Sequence, residues 1–463
     1  MGQALPLTTP WLVDGKLVLA AARGETLGIQ IFHRVSGAVT LRLDGATVRG
    51  FSVDTVAVKR ASTSMYGGSH GEGEYPEALT ASDAPTTNPA YFEISIARDA
   101  APGVHTGELV VAGQRIPATL TIAKASLPPQ RLDVWAYFDQ RELAWAEGKR
   151  DQPTKPSPRA PGDTERACIE LLRAHGVVLA PDLTLDSYEA RKPLMYDFPY
   201  IPVQLSQDPA TAAGEVRAWI AATAGTGKLP FAIPIDEPPP KKRAAVRALA
   251  DAVRAAGGGP KTFLFAVTDE PRPEYGDAVD LYIHWNAARL IGDSKERWTY
   301  NGKPPRAGSM VVDAVTPGTR TWGWIAHRYN IPVWYVWDAL YWHDRHNRKG
   351  APLPGRALVS TTDAVSFDDG EDHGNLDGVL TLPDRNGSCR PTLRLAALRR
   401  GLQDRALLEA AAKCKPADTA RLAAEMIPRA LGDAPSEGTP GWPTDEAAWE
   451  TARRRLLDLA SCR

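Results

Sequence analysis

The sequence predicts a multidomain α and β protein: an N-terminal antiparallel β-sandwich (residues 1–128), a central (β/α)8 TIM barrel (129–390) and a small C-terminal helical appendage (391–463). Three observations support this prediction. Short alternating apolar runs fill the first part, apolar strands alternate with helical stretches in the second, and helical stretches alone follow in the third. A chain of 463 residues also exceeds one ordinary core, so two or three domains are expected.

The composition is typical of a soluble globular protein. Hydrophobic residues make up 43% of the chain and charged residues 24%, and the formal net charge is −1. This balance gives no electrostatic footprint for nucleic acid, and no apolar run reaches the ~18–20 residues of a membrane-spanning helix. Residues 1–6 lack the charged and apolar regions of a signal peptide, so either the protein is cytosolic or a signal has been removed.

The predicted sandwich contains seven short strands separated by turn residues. They are 17–20, 27–32, 39–43, 51–58, 91–96, 107–111 and 116–122. A glycine-rich stretch, 66–76, lies between two of them. It opens no helix and so does not match a phosphate-binding loop. We expect a long surface loop that leans over the neighbouring domain.

The predicted barrel follows a linker at 126–130. Its eight strands are 134–138, 177–180, 200–205, 231–235, 263–267, 279–283, 298–300 and 333–337. Helical stretches lie near 163–175, 210–224, 241–256 and 320–329. The active site of such a barrel lies at the carboxyl ends of its strands.

Polar and aromatic residues follow most of these strands. The set comprises Asp139, Asp182, Asp236, Glu237, Thr268, Asp269, Glu270, His284, Trp285, Asn286, Tyr300, Asn301 and Asp338. A loop residue bonded to backbone is the simpler interpretation of any one of them. Their convergence on one face of the barrel is therefore the evidence for a site.

Two acid pairs are candidates for catalysis. The apolar run 231–235 ends in Asp236-Glu237 and three prolines. Adjacent carboxylates at the end of a buried strand are costly to desolvate, which favours a functional use. Asp269-Glu270-Pro271 repeats the pattern after the next strand, so both pairs remain open at this point.

Aromatic residues cluster near the ends of strands six to eight, where a sugar pocket would be lined. They are Trp285, Tyr300, Trp334, Tyr335, Trp337 and Trp342. Strand alternation points Trp334 and Tyr335 in opposite directions, so only part of the set can face a pocket. We predict that Trp285, Tyr300 and Trp337 contact sugar, with Asn286 and Asn301 as hydrogen-bonding partners for hydroxyl groups.

Three helical stretches, 392–413, 416–430 and 444–460, form the predicted appendage. In an up-down-up arrangement the ends of the first and third lie at one pole, so we predict a disulfide between Cys414 and Cys462, worth about 3–4 kcal/mol. Cys168 and Cys389 are expected to be free. No Cys-x-x-Cys spacing is present, so no zinc or redox motif is indicated.

Two polar clusters also invite a metal interpretation. Residues 342–347 hold two histidines without the spacing of a helical zinc site. The acidic residues 368–373 miss the alternating ligands of a calcium loop. Both are expected to be polar loops, and the first is expected to touch substrate. We predict no metal and no cofactor.

Three stretches resemble the domain-of-unknown-function family 4091 proteins, the group that includes glycoside hydrolase family 123. They are the sandwich end, 101–107 with Leu127-Pro128; the triplet Asp236-Glu237-Pro238; and the tail, 375–380 with 394–404. The resemblance touches nearly the whole chain. The sequence departs from the family at 233–235, where relatives often carry an aromatic residue, and at Arg405, which replaces an aromatic residue.

The resemblance implies a secreted or periplasmic glycosidase, since characterised family 123 members are exo-β-N-acetylgalactosaminidases. It favours Asp236-Glu237 as the catalytic pair, because a clear helix follows from Lys241 as in the family. Glu237 would be the general acid and base. Asp236 would hold the substrate's 2-acetamido group, whose carbonyl oxygen attacks the anomeric carbon.

Asp139 and Asp338 complete the predicted substrate-binding set. Two alternatives remain. A conventional retaining pair, Glu237 with Glu270 or Asp338, needs carboxylates about 5–5.5 Å apart and no acetamido group. A catalytically silent carbohydrate-binding or surface scaffold protein could keep the same fold. Each interpretation has a carbohydrate partner, and none indicates an oligomeric state.

Overall fold

A computed structural model describes residues 9–129, 132–146, 161–195, 198–290, 295–315, 317–342, 364–384, 388–433 and 441–461. Within these ranges the chain folds as two N-terminal sheets, a barrel-like parallel sheet with helices, and three C-terminal helices. No helix of the described residues combines the length and the apolar character that crossing a bilayer requires.

The N-terminal sheets pack face to face. Their strands are β1 (Leu12–Val13), β2 (Lys16–Arg23), β3 (Thr26–Ile31), β4 (Val39–Leu43), β5 (Thr47–Val58), β6 (Gly73–Ala81), β7 (Ala90–Ser95), β8 (Gly103–Val111) and β9 (Gln114–Ser126). The strand orders are β1-β2-β9-β8-β4 and β3-β7-β5-β6. Alternate positions of β2 and β9 are buried, which places Leu19 and Leu120 in the core between the sheets.

The predicted antiparallel sandwich is correct for every strand pair of these sheets except one. Strands β2 and β9 run parallel, with Leu17 opposite Ala118. A hairpin would force antiparallel pairing, but these two strands are far apart in the chain, so either direction is open to them.

Eight parallel strands form the central sheet. They are β10 (Asp133–Ala136), β11 (Val177–Leu179), β12 (Tyr200–Pro202), β13 (Leu229–Ala232), β14 (Leu264–Val267), β15 (Leu281–Ile283), β16 (Glu296–Tyr300) and β17 (Val333–Val336). Their order is β11-β10-β17-β16-β15-β14-β13-β12. A parallel bridge between Leu183 and Val203 joins the segments that follow the two edge strands, so the sheet curls into a barrel-like layer.

Helices cover this sheet unevenly. They are α1 (Gln140–Ala146), α2 (Asp163–Ala174), α3 (Leu185–Arg191), α4 (Pro209–Thr223), α5 (Arg243–Ala255) and α6 (Thr321–Tyr329). Asp208 caps α4, because its side chain accepts a hydrogen bond from the Thr211 N–H. In the described residues only short 3₁₀ turns, Pro273–Tyr275 and Ala287–Leu290, follow β14 and β15. The layer thus departs from a regular (β/α)8 alternation.

Small strands and three helices complete the chain. They are β18 (Val365–Asp368), β19 (His373–Asn375), β20 (Leu382–Pro383), β21 (Cys389–Arg390), α7 (Leu393–Cys414), α8 (Pro416–Met426) and α9 (Glu446–Ala460). Helix α7 crosses α6 so closely that a Cβ on Gly323 would lie 1.8 Å from the Gly401 carbonyl oxygen. This crossing therefore requires glycine at Gly323.

Helix α7 also contacts the N-terminal sheets through charged pairs. Arg394 donates to Glu77 over 2.8 Å and Arg399 to Glu93 over 2.6 Å, and both glutamates are buried. Hydrogen bonds to charged groups at such sites are stronger than exposed ones. The C-terminal helices therefore share a core with the rest of the chain, and the division at residues 128 and 390 stays a prediction.

A second link joins the glycine-rich loop to the barrel-like layer. Asp313, fully buried, accepts hydrogen bonds from the Ser62 N–H over 2.8 Å and from the Ser69 hydroxyl over 2.5 Å. The Val315 N–H donates to the Gly68 carbonyl. Residues 66–72 thus lean on the neighbouring domain, as the sequence predicts, but the predicted loop ends too late, because residues 73–76 belong to β6 and pair with β5.

The predicted cysteine pairing needs a correction. Cys168 of α2 and Cys389 of β21 form a disulfide with Cα atoms 5.1 Å apart, so the prediction that both are free is wrong. Their separation of 221 residues hides the pairing, because only the folded chain brings α2 beside β21. Cys462 lies outside the described residues, so the Cys414–Cys462 bond stays a prediction.

Candidate active site

The first acid pair lies in a turn at the carboxyl end of β13. Strand β13 ends at Ala232, before the acids, and Glu237 has a φ of 38°. A positive φ is uncommon for a residue with a side chain, and such strain is found most often at functional sites. Leaving strand geometry removes the alternation that would point Asp236 and Glu237 to opposite faces.

One hydroxyl group ties the two acids together. Thr268, which follows β14 and is buried, donates to Asp236 Oδ1 over 2.7 Å and accepts from the Glu237 N–H over 2.6 Å. Strands β13 and β14 are neighbours in the sheet. The turn is therefore held from the adjacent strand, and Thr268 joins the residues that the sequence placed at strand ends but did not select.

The surroundings of Glu237 favour the protonated form of its carboxyl group. Loss of water around the carboxyl group raises the pKa of Glu237 above its usual value, and the charge of Asp236 adds to the rise. Two groups oppose this rise: Tyr300, whose hydroxyl donates to Glu237 Oε1 over 2.7 Å, and Lys303. A raised carboxyl pKa suits a general acid.

The second acid pair is bound to cations and donors. Burial alone would raise the pKa of Asp269, but hydrogen bonds from Arg272, Tyr275 and a backbone N–H outweigh it and hold the pKa below the usual value. Tyr275 Oη donates to Asp269 Oδ2 over 2.6 Å. A hydrogen bond from Asn286 lowers the pKa of Glu270 as well.

Four aromatic rings form a row across neighbouring strands. Trp285 stacks on Tyr300 with ring centroids 5.1 Å apart, Tyr300 lies 6.4 Å from Tyr335, and Tyr335 stacks on Trp135 at 4.3 Å. They belong to β15 and its following turn, β16, β17 and β10. We call this set the ring row. Lys303 Nζ lies 5.2 Å from the Trp285 ring centroid.

Only some of the aromatic residues predicted to line the pocket belong to the ring row. Tyr300, which contacts Glu237, and Trp285, which stacks on Tyr300, both lie in it. Trp334 stacks on Trp322 of α6 at 4.7 Å, so it faces the helices while Tyr335 faces the row, as the alternation predicted. Trp337 packs instead against Tyr341 at 4.6 Å and against the core shared with the C-terminal helices. The structure does not bring Trp337 to the ring row.

The two asparagines predicted to bind hydroxyl groups already have protein partners. Asn286 donates to Glu270 Oε1 over 2.8 Å and accepts from Arg306 over 2.7 Å, and it is buried. The Asn301 side-chain oxygen accepts from the Trp337 N–H over 3.0 Å. Both amides therefore stabilise the loops around the site in this structure.

The carboxyl groups of Asp139 and Asp338 also have hydrogen-bonding partners within the protein. Asp139 pairs with Arg141, whose Nε donates to Oδ2 over 2.9 Å. Asp338 is 1% exposed and accepts from the Leu340 N–H over 3.1 Å. Both carboxylates hold turns at strand ends, which is the simpler interpretation that the sequence allowed for each single residue.

Asp182 and Tyr335 lie in the site although neither was selected from the sequence. Burial raises the pKa of Asp182 to about 7, and the nearby charge of Asp236 adds to it. Both carboxylates also raise the pKa of Tyr335 well above its usual value, after burial. Position at a strand end was the only sequence signal for Asp182.

No cluster of three His, Cys, Asp or Glu residues in the described ranges could hold a metal. Asp369 Oδ1 accepts from the backbone N–H groups of Glu371 and Asp372, which uses the acidic loop to form its own turn. Residues 343–347 of the histidine cluster lie outside the described residues.

Comparison with known proteins shows the fold. No family model matches the sequence, and no curated protein matches it significantly. The structure is similar to a family 123 glycoside hydrolase from Clostridium perfringens, with a TM-score of 0.62, 10% identity, and coverage of 96% of this chain and 93% of that one. This similarity spans both N-terminal sheets, the barrel-like layer and the C-terminal helices.

Two further structures are much less similar. A β-glucuronidase from Ruminococcus gnavus has a TM-score of 0.31 and 9% identity, over 83% of this chain and 68% of that one. A family 2 glycosyl hydrolase from Bacteroides cellulosilyticus has a TM-score of 0.27 and 11% identity, over 72% and 44%. At these scores neither carries an argument.

Proposed function

We propose that the protein is an exo-acting glycoside hydrolase that cleaves β-linked N-acetylhexosaminides, of the N-acetylgalactosamine type, by substrate-assisted retaining catalysis. The observation that carries the proposal is the turn of Asp236 and Glu237, held by Thr268 beside the ring row. The fold shared with a family 123 glycoside hydrolase supports it. The barrel-like layer is proposed to be the closed (β/α)8 barrel, with the Leu183–Val203 bridge as its seam.

Glu237 is assigned the proton transfers. Its raised pKa keeps a proton available for the leaving glycosidic oxygen, and the resulting carboxylate then takes a proton from the attacking water. Tyr300 donates to Oε1 and so fixes the direction of the carboxyl group. Oε2 has no hydrogen bond from the described residues and is the atom assigned to the substrate.

Asp236 is assigned the 2-acetamido group. Its Oδ1 accepts from Thr268, which leaves Oδ2 to accept the acetamido N–H. The acetamido carbonyl oxygen attacks the anomeric carbon as the bond to the leaving oxygen breaks, and water reopens the cyclic intermediate. This mechanism needs a single proton-transferring carboxyl group, and only the Asp236-Glu237 pair has a member with a raised pKa.

The test is a screen of aryl β-glycosides with and without the 2-acetamido group, assayed side by side. We expect turnover of the N-acetylhexosaminides alone, with inhibition by a thiazoline that mimics the cyclic intermediate. Full activity on the matching sugar without the acetamido group would favour a conventional carboxylate pair. Binding of sugars without turnover of any glycoside would favour a silent carbohydrate-binding protein.

We also propose that the protein works outside the cytoplasm. The Cys168–Cys389 disulfide supports this location, because such bonds persist mainly in oxidising compartments. Fractionation of cells that express the full-length gene tests it. Recovery in the cytoplasm, with both thiols open to alkylation, would contradict the proposal.

A further inference from the structure

Two cationic side chains beside the ring row have no role in the mechanism above. Lys303 and Arg306 lie three residues apart in the segment that follows β16, and both are half-buried. Neither forms an ion pair with a residue that the structure describes, and the Lys303 ammonium group takes part in no hydrogen bond within those ranges. Taking a charged group out of water is costly unless an opposite charge compensates it. We call these two residues the cation pair.

The turn that carries the cation pair is held by its surroundings. The Arg306 N–H donates to the Lys303 carbonyl over 2.8 Å, and the Leu431 N–H donates to the Arg306 carbonyl over 2.9 Å. A Cβ on Gly67, in the glycine-rich loop, would lie 2.9 Å from Pro304 Cγ, so that loop packs against the turn as well. The backbone of the cation pair is therefore fixed by both the C-terminal segment and the N-terminal domain.

Both side chains of the cation pair contact the segment that follows β15. Lys303 Nζ lies over the Trp285 ring, 5.2 Å from its centroid, and Arg306 Nε donates to the Asn286 side-chain oxygen over 2.7 Å. Trp285 and Asn286 are consecutive residues, so adjacent positions hold the two cations. The charge of Arg306 adds to burial in lowering the pKa of Lys303, as expected for neighbouring cations.

The ring row connects the cation pair to the proposed general acid. The Trp285 ring, which holds Lys303, stacks on Tyr300 with ring centroids 5.1 Å apart. The Tyr300 hydroxyl group donates to Glu237 Oε1 over 2.7 Å. Two ring contacts therefore separate Lys303 from the carboxyl group that is assigned to the leaving oxygen. An acetamido sugar is neutral, so the mechanism by itself gives the cation pair no anion to bind.

Guanidinium and ammonium groups bind the oxygen atoms of sulfate and carboxylate groups. We propose that Lys303 and Arg306 form a subsite for an anionic group of the glycan, either a sulfate ester or a carboxylate. The inference rests on the proposed function and names its substrate class, the acidic β-N-acetylhexosaminides. The cleaved sugar would carry the sulfate ester, whereas the carboxylate would belong to a uronic acid on the leaving side.

An anion in this subsite would also assist the general acid. The charge of Lys303 lowers the pKa of Glu237 and so opposes its protonated form. A bound sulfate or carboxylate group compensates that charge, which favours the protonated form when an acidic substrate is present. Asp372 and Glu237 are the acidic groups that raise the pKa of Lys303, and neither forms an ion pair with it.

The selectivity of the full-length chain tests the subsite. The wild type is assayed on 4-nitrophenyl N-acetyl-β-D-galactosaminide and on its 4- and 6-sulfate esters. It is also assayed on N-acetylgalactosamine β-linked to glucuronic acid, beside the same sugar β-linked to glucose. We expect kcat/KM to be about 10- to 100-fold higher for an acidic substrate than for its neutral counterpart, the effect of hydrogen bonds to charged groups. Preference for a sulfate ester places the anion on the cleaved sugar, and preference for the glucuronide places it on the leaving side.

Three variants locate the source of this preference. Lys303→Gln and Arg306→Gln each remove one charge and should each lower the ratio of acidic to neutral kcat/KM by about 10-fold. Lys261→Gln is the matched control, because Lys261 is exposed and precedes β14, at the opposite ends of the strands. It should keep the wild-type ratio. If Arg306→Gln does not fold, Lys303→Gln decides, since its ammonium group has no hydrogen bond to lose among the described residues.

The outcomes separate this inference from the proposed function. Neutral substrates cleaved as well as acidic ones, or a preference that survives in either folded glutamine variant, would overturn the subsite alone. Activity confined to acidic N-acetylhexosaminides would support both the subsite and the proposed function. A wild type that cleaves none of these substrates, neutral or acidic, would overturn the proposed function and the subsite with it.

Discussion

Asp236-Glu237-Pro238 and Asp269-Glu270-Pro271 have the same residue order and follow neighbouring strands, but their carboxyl groups have opposite surroundings. The Asp236 and Glu237 carboxyl groups accept from the hydroxyl groups of Thr268 and Tyr300, and the Glu237 N–H donates to the Thr268 hydroxyl. The later acids lie within hydrogen-bond or ion-pair distance of cationic side chains, with Arg272 Nη2 at 3.0 Å from Asp269 Oδ1. Glu237 therefore has a raised pKa, and both later acids have lowered ones.

The Asp-Glu-Pro sequence therefore does not by itself determine whether the pKa values of its carboxyl groups are raised or lowered. The cations beside the later pair come from nearby positions, Arg272 within the same loop and Arg243 at the start of α5. The first pair has no cation within ion-pair distance among the described residues. Lys303 lowers the pKa of Glu237 only by a longer-range electrostatic interaction. Proton transfer is consequently easier to assign to Glu237, while the later pair organises the adjoining loops.

The largest expected effect comes from exchanging each glutamate for glutamine. Glu237→Gln should lower turnover of an aryl N-acetylhexosaminide by about 10²- to 10⁴-fold, the usual contribution of a general acid. Glu270→Gln should keep most of the turnover, because glutamine can still accept from Asn286. Values of kcat and KM for both variants check this prediction.

The outcome also tests the conventional alternative. If Glu237 and Glu270 formed a retaining pair, both variants would be inactive to a similar degree. A strong loss in Glu270→Gln with unchanged thermal stability would therefore contradict the assignment made here. Asp338 is a weaker partner for such a pair, because it is almost fully buried.

The second effect separates catalysis from stability. Asp269→Asn should lower the free energy of unfolding by about 1–3 kcal/mol, since Arg272 and the Tyr275 hydroxyl lose a charged acceptor. Asp236→Asn should leave stability nearly unchanged and still remove most turnover of acetamido substrates. Chemical denaturation and enzyme kinetics of the two variants check this prediction. Equal destabilisation of both variants would contradict it.

The sequence predicts more of the fold than of the site. Strand ends, the opposite directions of Trp334 and Tyr335 and the bounds of the C-terminal helices follow from local periodicity, which acts over a few residues. The disulfide between Cys168 and Cys389 depends on contacts across 221 residues, which no local pattern encodes.

Site residues were harder to predict, because the type of a residue does not reveal which groups its side chain hydrogen-bonds in the folded chain. Asn286 and Asn301 have the right chemistry for sugars, but Arg306 and the Trp337 backbone occupy them. Conversely, Thr268 looks like an ordinary strand-end residue and becomes important only because β13 and β14 are adjacent. Such assignments require the tertiary structure.

A third effect concerns the pH profile. Tyr300→Phe removes a hydrogen bond that favours the Glu237 carboxylate, so the pKa of Glu237 should rise further. Because the general acid must be protonated, the alkaline limb of kcat should then move to higher pH. A limb at the wild-type position would show that another group controls it.

The smallest expected effect is on the pH dependence of stability, and it has opposite signs for the two pairs. The pKa of Glu237 is raised in the folded state, so the folded form is favoured when this group is protonated, and its contribution is lost as pH rises from about 4 through the folded pKa. The pKa of Glu270 is lowered, so its contribution is present above about pH 4 and is lost as pH falls through the folded value. Thermal unfolding at pH 7 should therefore show Glu237→Gln at or slightly above the wild type and Glu270→Gln below it. As pH falls, the Glu237 difference should shrink first, because that group becomes neutral like glutamine at higher pH, and the Glu270 difference should shrink only below pH 4, as pH passes through its lowered folded pKa. Differences of the same sign at pH 7 would mean that the two carboxyl groups do not differ in the way their surroundings indicate.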